Sequence, residues 1–318
     1  MRPRQLWETT GILVVFVVFV LILAATVENF ATPINIRTIL VSVSVVGMVA
    51  CTMLFCLAGG DFDLSVGSTV ALGGVIAALV VNKTGSLAYA VLIPVCVGAV
   101  VGMVNGFFIA KVGINALITT LATMQIVRGS AQLASGGSSI GVSNESFAAL
   151  GQTFWLGLPT PVWLMIGFFI IFGVLLNKTL FGRNTLAVGG NPEAARLAGI
   201  AVARTKIAVF TLQGMVAAFA GVVLASRVTS GQPTAGLGLE LQVISACVLG
   251  GVSLTGGGGR ITGVIVGVPI MGVLENAMGL LNIQAFWKLV ISGSVLLLAV
   301  TLDRLKHKAS LRRKAERV

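Results

Sequence analysis

Charged residues are scarce in this chain, at 10% of 318 positions. A soluble domain carries about 25%, so an ordinary water-facing surface is excluded. Histidine occurs once, at His307 in a basic tail. No metal-ligand cluster and no nucleophile–histidine arrangement is visible, so the commonest hydrolytic and metal-dependent chemistries have no candidate residues. Cysteine occurs four times, at Cys51, Cys56, Cys96 and Cys247, always inside an apolar run. These read as small buried hydrophobes, which excludes a disulfide framework. A GxxxxGK[ST] phosphate loop is missing too, so the chain is not expected to hydrolyse ATP itself.

What fills the chain instead is apolar sequence: 56% hydrophobic residues and a mean hydropathy of +1.03. Apolar runs recur from end to end, and the expectation is an all-α polytopic membrane protein. Ten segments are placed at 11–27, 36–58, 64–82, 87–108, 115–134, 161–178, 206–226, 238–255, 260–281 and 285–302. Six or eight full spans with re-entrant pieces keep the same ends. The first run lacks a small-residue cleavage site and another apolar run follows at once, so it reads as a retained helix rather than a signal peptide. The domain reading is a cytoplasmic tail at 1–10, a membrane domain at 11–302 and a basic cytoplasmic tail at 303–318. The formal charge of +11 is distributed by side of the membrane, which favours a bilayer over nucleic acid as partner. With the N-terminus inside, sixteen Lys and Arg lie inside, four lie outside, and Arg128 lies within a segment.

Glycine is plentiful, with 40 residues, and lets membrane helices approach closely. Two segments are broken. Gly59 to Asp63 interrupts one apolar stretch, and Gly250-Gly251 with Gly256 to Gly259 interrupts another. Paired breaks in two halves point to an internal repeat and a transport path, because irregular backbone at membrane depth needs protein or a water-filled cavity around it. The Ser135–Thr160 loop is the largest external element and reads either as a plain solvated loop or as a landing surface for an outside partner.

The longest polar interruption, Lys178 to Lys206, contains GGNPEAARLAGI at 189–200. Asn191 suits an N-cap, Pro192 the first helical position, Glu193 the positive end of the dipole, and Gly199 a stop. Ala194 and Ala195 favour helix, and Ala194, Ala195 and Ala198 form a small face. Glu193 and Arg196 stand three apart, in reach of each other or of a partner. A helix of about two turns is unstable alone and needs a partner surface.

Polar residues within or beside the apolar segments are candidates to line a path. They are Asn105, Asn115, Thr119, Thr120, Gln125, Gln213, Gln232, Gln242 and Asn276. Each serves equally well as an interhelical hydrogen bond. Ionisable residues at membrane depth default to function: Arg128, Glu240 and Glu275, with structural pairing as the alternative. Asp61 and Asp63 flank the first break and are placed to cap a helix resuming at Leu64, which is compatible with a part in gating.

Three motifs together resemble a family. GDFDLSVGS at 60–68, GGNPEAARLAGI at 189–200 and SGQPTAGLGLELQVISACVLGGVSLTGGGGRI at 230–261 are similar to signatures of the membrane subunit of sugar-importing ABC transporters, the group of ribose, xylose, galactose and arabinose permeases. The resemblance covers nearly the whole chain. GMVACTMLFCLAGGDFDLS and INALITTLATMQIVRG resemble the arabinose-type branch, so the implied cargo is L-arabinose, with another monosaccharide as the alternative. The resemblance further implies a bacterial inner-membrane permease working as a homodimer. Its implied partners are a periplasmic sugar-binding protein and a separate ATPase that carries ATP and Mg. The 189–200 stretch (Asn191, Glu193, Ala194, Ala195, Arg196, Gly199) is the implied ATPase-docking site. No cofactor or metal is expected on this chain. An ion-coupled secondary transporter and an intramembrane enzyme are the competing readings.

Overall fold

Residues 3–301, apart from 285, 289 and 299, are described by the computed structural model. The chain is a bundle of helices joined by short loops: α1 Pro3–Thr26, α2 Pro33–Ala58, α3 Val66–Thr84, α4 Leu87–Phe107, α5 Ala116–Ser135, α6 Glu145–Gln152, α7 Thr160–Lys178, α8 Leu180–Gly190, α9 Pro192–Leu197, α10 Val202–Val228, α11 Leu239–Leu249 and α12 Ile261–Leu280. Strand pairs are only two residues long: β1 Ile140–Gly141, β2 Phe154–Trp155, β3 Leu158–Pro159 and β4 Ser230–Gly231. The all-α polytopic architecture is therefore present. Helix α1 already begins at Pro3, inside the stretch expected as a tail. The tail expected at 303–318 lies outside the described residues.

Among the described residues, six helices are long and apolar enough to cross a membrane: α2, α3, α4 with its extension to Val112, α7, α10 and α12. The other four expected segments differ; at 11–27 the apolar helix is the shorter Phe16–Thr26. The 238–255 segment holds only the 11-residue α11, about 16 Å long against a hydrocarbon core of about 30 Å. The last segment carries a shorter apolar helix at Phe286–Leu298. Segment 115–134 does form a 20-residue helix, α5, but Thr119, Thr120, Thr123, Gln125, Arg128 and Gln132 dilute its apolar character.

Helix α2 is the hub. Thr32 caps it by accepting from the Asn35 N–H, Pro33 takes its first turn, and its residues from Val43 to Ala58 are buried on every side. A helix apolar all round is a core helix; α7, α10, α11 and α12 surround it. Helix α4 packs on α10 through glycines. A Cβ on Gly98 would overlap the Gly214 carbonyl, so the two backbones touch where side chains would hold them apart. Cys51, Cys56 and Cys247 are buried as expected, but Cys96 is exposed, because α4 lies on the outside of the bundle with much of its surface open.

The bundle has two ends. One gathers both chain breaks and the α8–α9 segment; we call it the break end. The opposite end gathers the β pairs and α6; we call it the hairpin end. The Ser135–Thr160 loop is built into the hairpin end. Ile140 and Gly141 pair with Gly231 and Ser230, Asn144 caps α6, and Phe147 is fully buried. Trp155 packs edge-on against Trp163, and Arg37 sits over the Phe154 ring. Exposed Trp and Phe at one level mark a membrane–water interface.

Candidate functional site

At the break end, α2 stops at Ala58, Gly60 takes φ +84, and α3 starts at Val66. The two acids in between have separate tasks. Asp61 accepts an ion pair from Lys206 at 2.7 Å, with both side chains mostly hidden. Burial raises the Asp61 carboxyl above its ordinary range, and Lys206 pulls it back. Asp63 is buried and accepts from the Ser65 backbone N–H at 2.9 Å and from its Oγ at 2.6 Å. Burial pushes Asp63 up to about 6 while the Ser65 hydrogen bonds hold it down. The helix therefore resumes at Val66, not Leu64, and Asp61 takes no part in capping it. Asn105 donates to the Ser65 Oγ at 3.0 Å, and Thr123 donates to the Asn105 Oδ1 at 2.6 Å. This buried chain links the break to α4 and α5. Sequence reasoning found Asp63 and Asn105 but missed Ser65 and Thr123, since a serine or threonine in a membrane helix usually bonds its own backbone.

The second break meets the first. Gly257 donates to the Ala58 carbonyl at 2.8 Å. Gly189 of α8 lies against the same carbonyl so closely that a Cβ there would overlap it. Three backbones thus join at one point: the end of α2, the glycine loop after α11, and the segment leading into α9. Burying polar backbone in this way is stable because each group finds a partner.

Helix α9 follows the sequence closely. The Asn191 side chain accepts from the Ala194 N–H at 3.0 Å, Pro192 opens the helix, and Gly199 ends it at φ +82. Glu193 and Arg196 pair at 2.7 Å on the exposed side, both free to water, so the pair adds little stability. The structure divides the alanines: Ala194 and Ala198 are exposed, while Ala195 is buried in its own chain. Leu197 is 85% exposed. Sequence reasoning passed over it; the signal was a lone leucine among small and polar residues in a charged loop.

The other candidates separate. Arg128 donates to the carbonyls of Pro233 at 2.9 Å and Ala235 at 2.7 Å, holding the non-helical strap that joins β4 to α11. Glu240 sits against Gly67 beyond the same strap, within electrostatic range of Arg128. Asn115 caps α5 by accepting from the Leu117 N–H at 2.9 Å. Asn276 and Asn35 exchange two hydrogen bonds, at 2.8 and 2.9 Å, between α12 and α2. Thr119 and Thr120 bond back to their own helix. Gln213 is fully buried, and its Nε2 has no partner among the described residues. Gln125 opens outward from the middle of α5, and Gln232 is exposed near the hairpin end. Gln242 and Glu275 face one cavity with Lys288.

Residues 35–300 match the family described as "Branched-chain amino acid transport system / permease component". The chain belongs to this permease family. Among curated relatives of this permease, the L-arabinose transport system permease protein of Escherichia coli K12 is 58% identical over 96% of this chain and 93% of its own length. The L-arabinose ABC transporter permease protein of Azospirillum brasilense is 51% identical over 95% and 89%. The ribose import permease protein of Bacillus subtilis is 42% identical over 91% of each chain. No solved structure matches.

Proposed function

We propose that this permease is the membrane subunit of an ABC importer in a bacterial inner membrane and that its cargo is L-arabinose. The observation that carries the cargo is the gap between 58% identity to an L-arabinose permease and 42% to a ribose permease, each across more than nine-tenths of the chain. The break end faces the cytoplasm, in keeping with the bias of Lys and Arg. There α9 seats on the separate ATPase, with Leu197 as its apolar anchor and Ala194, Ala198 and the Glu193–Arg196 pair around it. The hairpin end faces the periplasm and receives the sugar-binding protein.

Motion of α9 is passed to the gate through two rigid links. One is the backbone junction of Gly189, Ala58 and Gly257. The other is the Lys206–Asp61 pair at the foot of α10. From there the Asp63–Ser65–Asn105–Thr123 chain carries the change to α5. A second copy of the permease covers the open face of α5, where Gln125 and Ser130 lie exposed beside Leu121 and Ile126. A mid-helix amide facing lipid is unfavourable, and a path or a polar partner face removes that cost. ATP and Mg act on the ATPase; this chain contributes the path and the lever.

The test is uptake in inside-out-free membrane vesicles carrying the permease with its ATPase and binding protein. L-arabinose is expected to accumulate only with internal ATP and with binding protein outside. Efficient ribose uptake without arabinose uptake would overturn the cargo, and uptake on an ion gradient alone would overturn the importer.

A further inference from the structure

A cavity of about 270 Å³ lies between the hairpin-side halves of α2, α10 and α12 and the last described helix. Val45, Val46 and Leu239 give it apolar walls. Ser42, Gln242, Glu275 and Lys288 give it polar ones. The third kind of wall is backbone: Gly236 to Gly238, the end of the strap. Non-helical backbone at membrane depth persists only inside protein or beside a water-filled space. This strap has both, since Arg128 takes its carbonyls on one side and the cavity lies on the other. Helix α11 starts at the cavity rim, with no side-chain cap from Gly238. Broken helices whose ends open onto an internal cavity are where membrane transporters hold their cargo.

The chemistry selects the class of ligand. Glu275 makes no ion pair among the described residues; Gln242 and Lys288 lie beside it, and a carboxylate has about four lone-pair sites, so it can accept from a ligand as well. A carboxylate beside Lys288 and Arg227 opposes a bare anion and a bare cation alike. An uncharged ring bearing hydroxyls on both faces suits such mixed donors and acceptors, with apolar walls against its C–H surface. The space holds about nine waters at ~30 Å³ each, enough for one monosaccharide with a few waters left.

We propose that this cavity is a monosaccharide-holding site within each protomer, reached from the hairpin end, in which the sugar rests before the break end opens. The inference builds on the importer reading above. Its test is the amount of L-arabinose taken up per ATP hydrolysed by the complete transporter in proteoliposomes, with binding protein present. Gly293→Phe fills the cavity; a Cβ at Gly293 meets no atom within 4 Å, so the side chain enters without backbone strain. Gln242→Leu keeps the volume and removes a hydrogen-bonding amide. Both variants are expected to assemble and to keep ATPase activity stimulated by binding protein, while sugar per ATP falls about tenfold, the loss of one good hydrogen bond or more. If Gly293→Phe does not assemble, Gln242→Leu decides. Assembly with an unchanged sugar-to-ATP ratio overturns the site and leaves the importer standing. A parent complex that takes up no arabinose overturns the importer itself.

Discussion

Two acids separated by a single residue, Asp61 and Asp63, show how far position sets role. Asp61 has a cation and Asp63 has only hydroxyl and amide donors. Removing one partner of a mostly hidden ion pair leaves the other charge stranded, which costs about 3 kcal/mol. Asp61→Asn is therefore expected to lower the melting temperature in detergent and to abolish most uptake. The exchange Asp61→Lys with Lys206→Asp is expected to restore part of both, and a double variant no better than either single one would show that the pair carries no coupling. Asp63 responds to pH instead. Its carboxyl is raised in the folded protein to about 6, so the folded state holds its proton more tightly than the unfolded chain. Its contribution to stability is full below the ordinary aspartate range and declines as pH rises towards about 6. Melting curves of Asp63→Asn should lack that decline, and parallel curves for parent and variant across this window would refute it.

At the scale of the element, α9 tests the docking reading. Gly199 is a poor place to probe it, because any side chain there meets a left-handed backbone at φ +82. Leu197 is exposed and free of that strain, so Leu197→Glu should leave insertion and thermal stability unchanged. A carboxylate buried without a partner in the ATPase groove is strongly unfavourable, so co-purification of the ATPase should fall by at least about tenfold. Full recovery of the ATPase with full transport would make α9 a plain turn. This helix was legible in the sequence down to its cap and its stop, because Asn191, Pro192 and Gly199 each act within a few bonds of their own backbone. The apolar spans were legible for a similar reason: composition alone decides them. What stayed hidden depends on distant neighbours. Nothing local announces that Lys206 pairs with Asp61, that Asn276 exchanges bonds with Asn35 across 241 positions, or that Ala195 turns inward while Leu197 turns out. The 238–255 run is as apolar as a full span, yet its glycines end α11 at Leu249 and leave the rest as a loop.

At the scale of the whole molecule the two ends must lie on opposite sides of the membrane. Single cysteines at Ser139 and Thr255, in a variant lacking the exposed Cys96, report them separately. Ser139 should label from the periplasm of intact cells, and Thr255 only after the membrane is opened. Labelling of both from outside would reverse or dissolve the assigned orientation. The junction of Gly189, Ala58 and Gly257 then has a consequence for how this protein is mapped by mutation. The contact is peptide group against peptide group, so there is no side chain to delete. A scan that trims residues to alanine will score its heaviest loss at Gly189, where it adds an atom, and will find Ala58 already at the scan's end point. Silence elsewhere around the junction does not mean idleness: on the proposed coupling path, the force between motor and gate passes through the part of the polypeptide that all residues have in common.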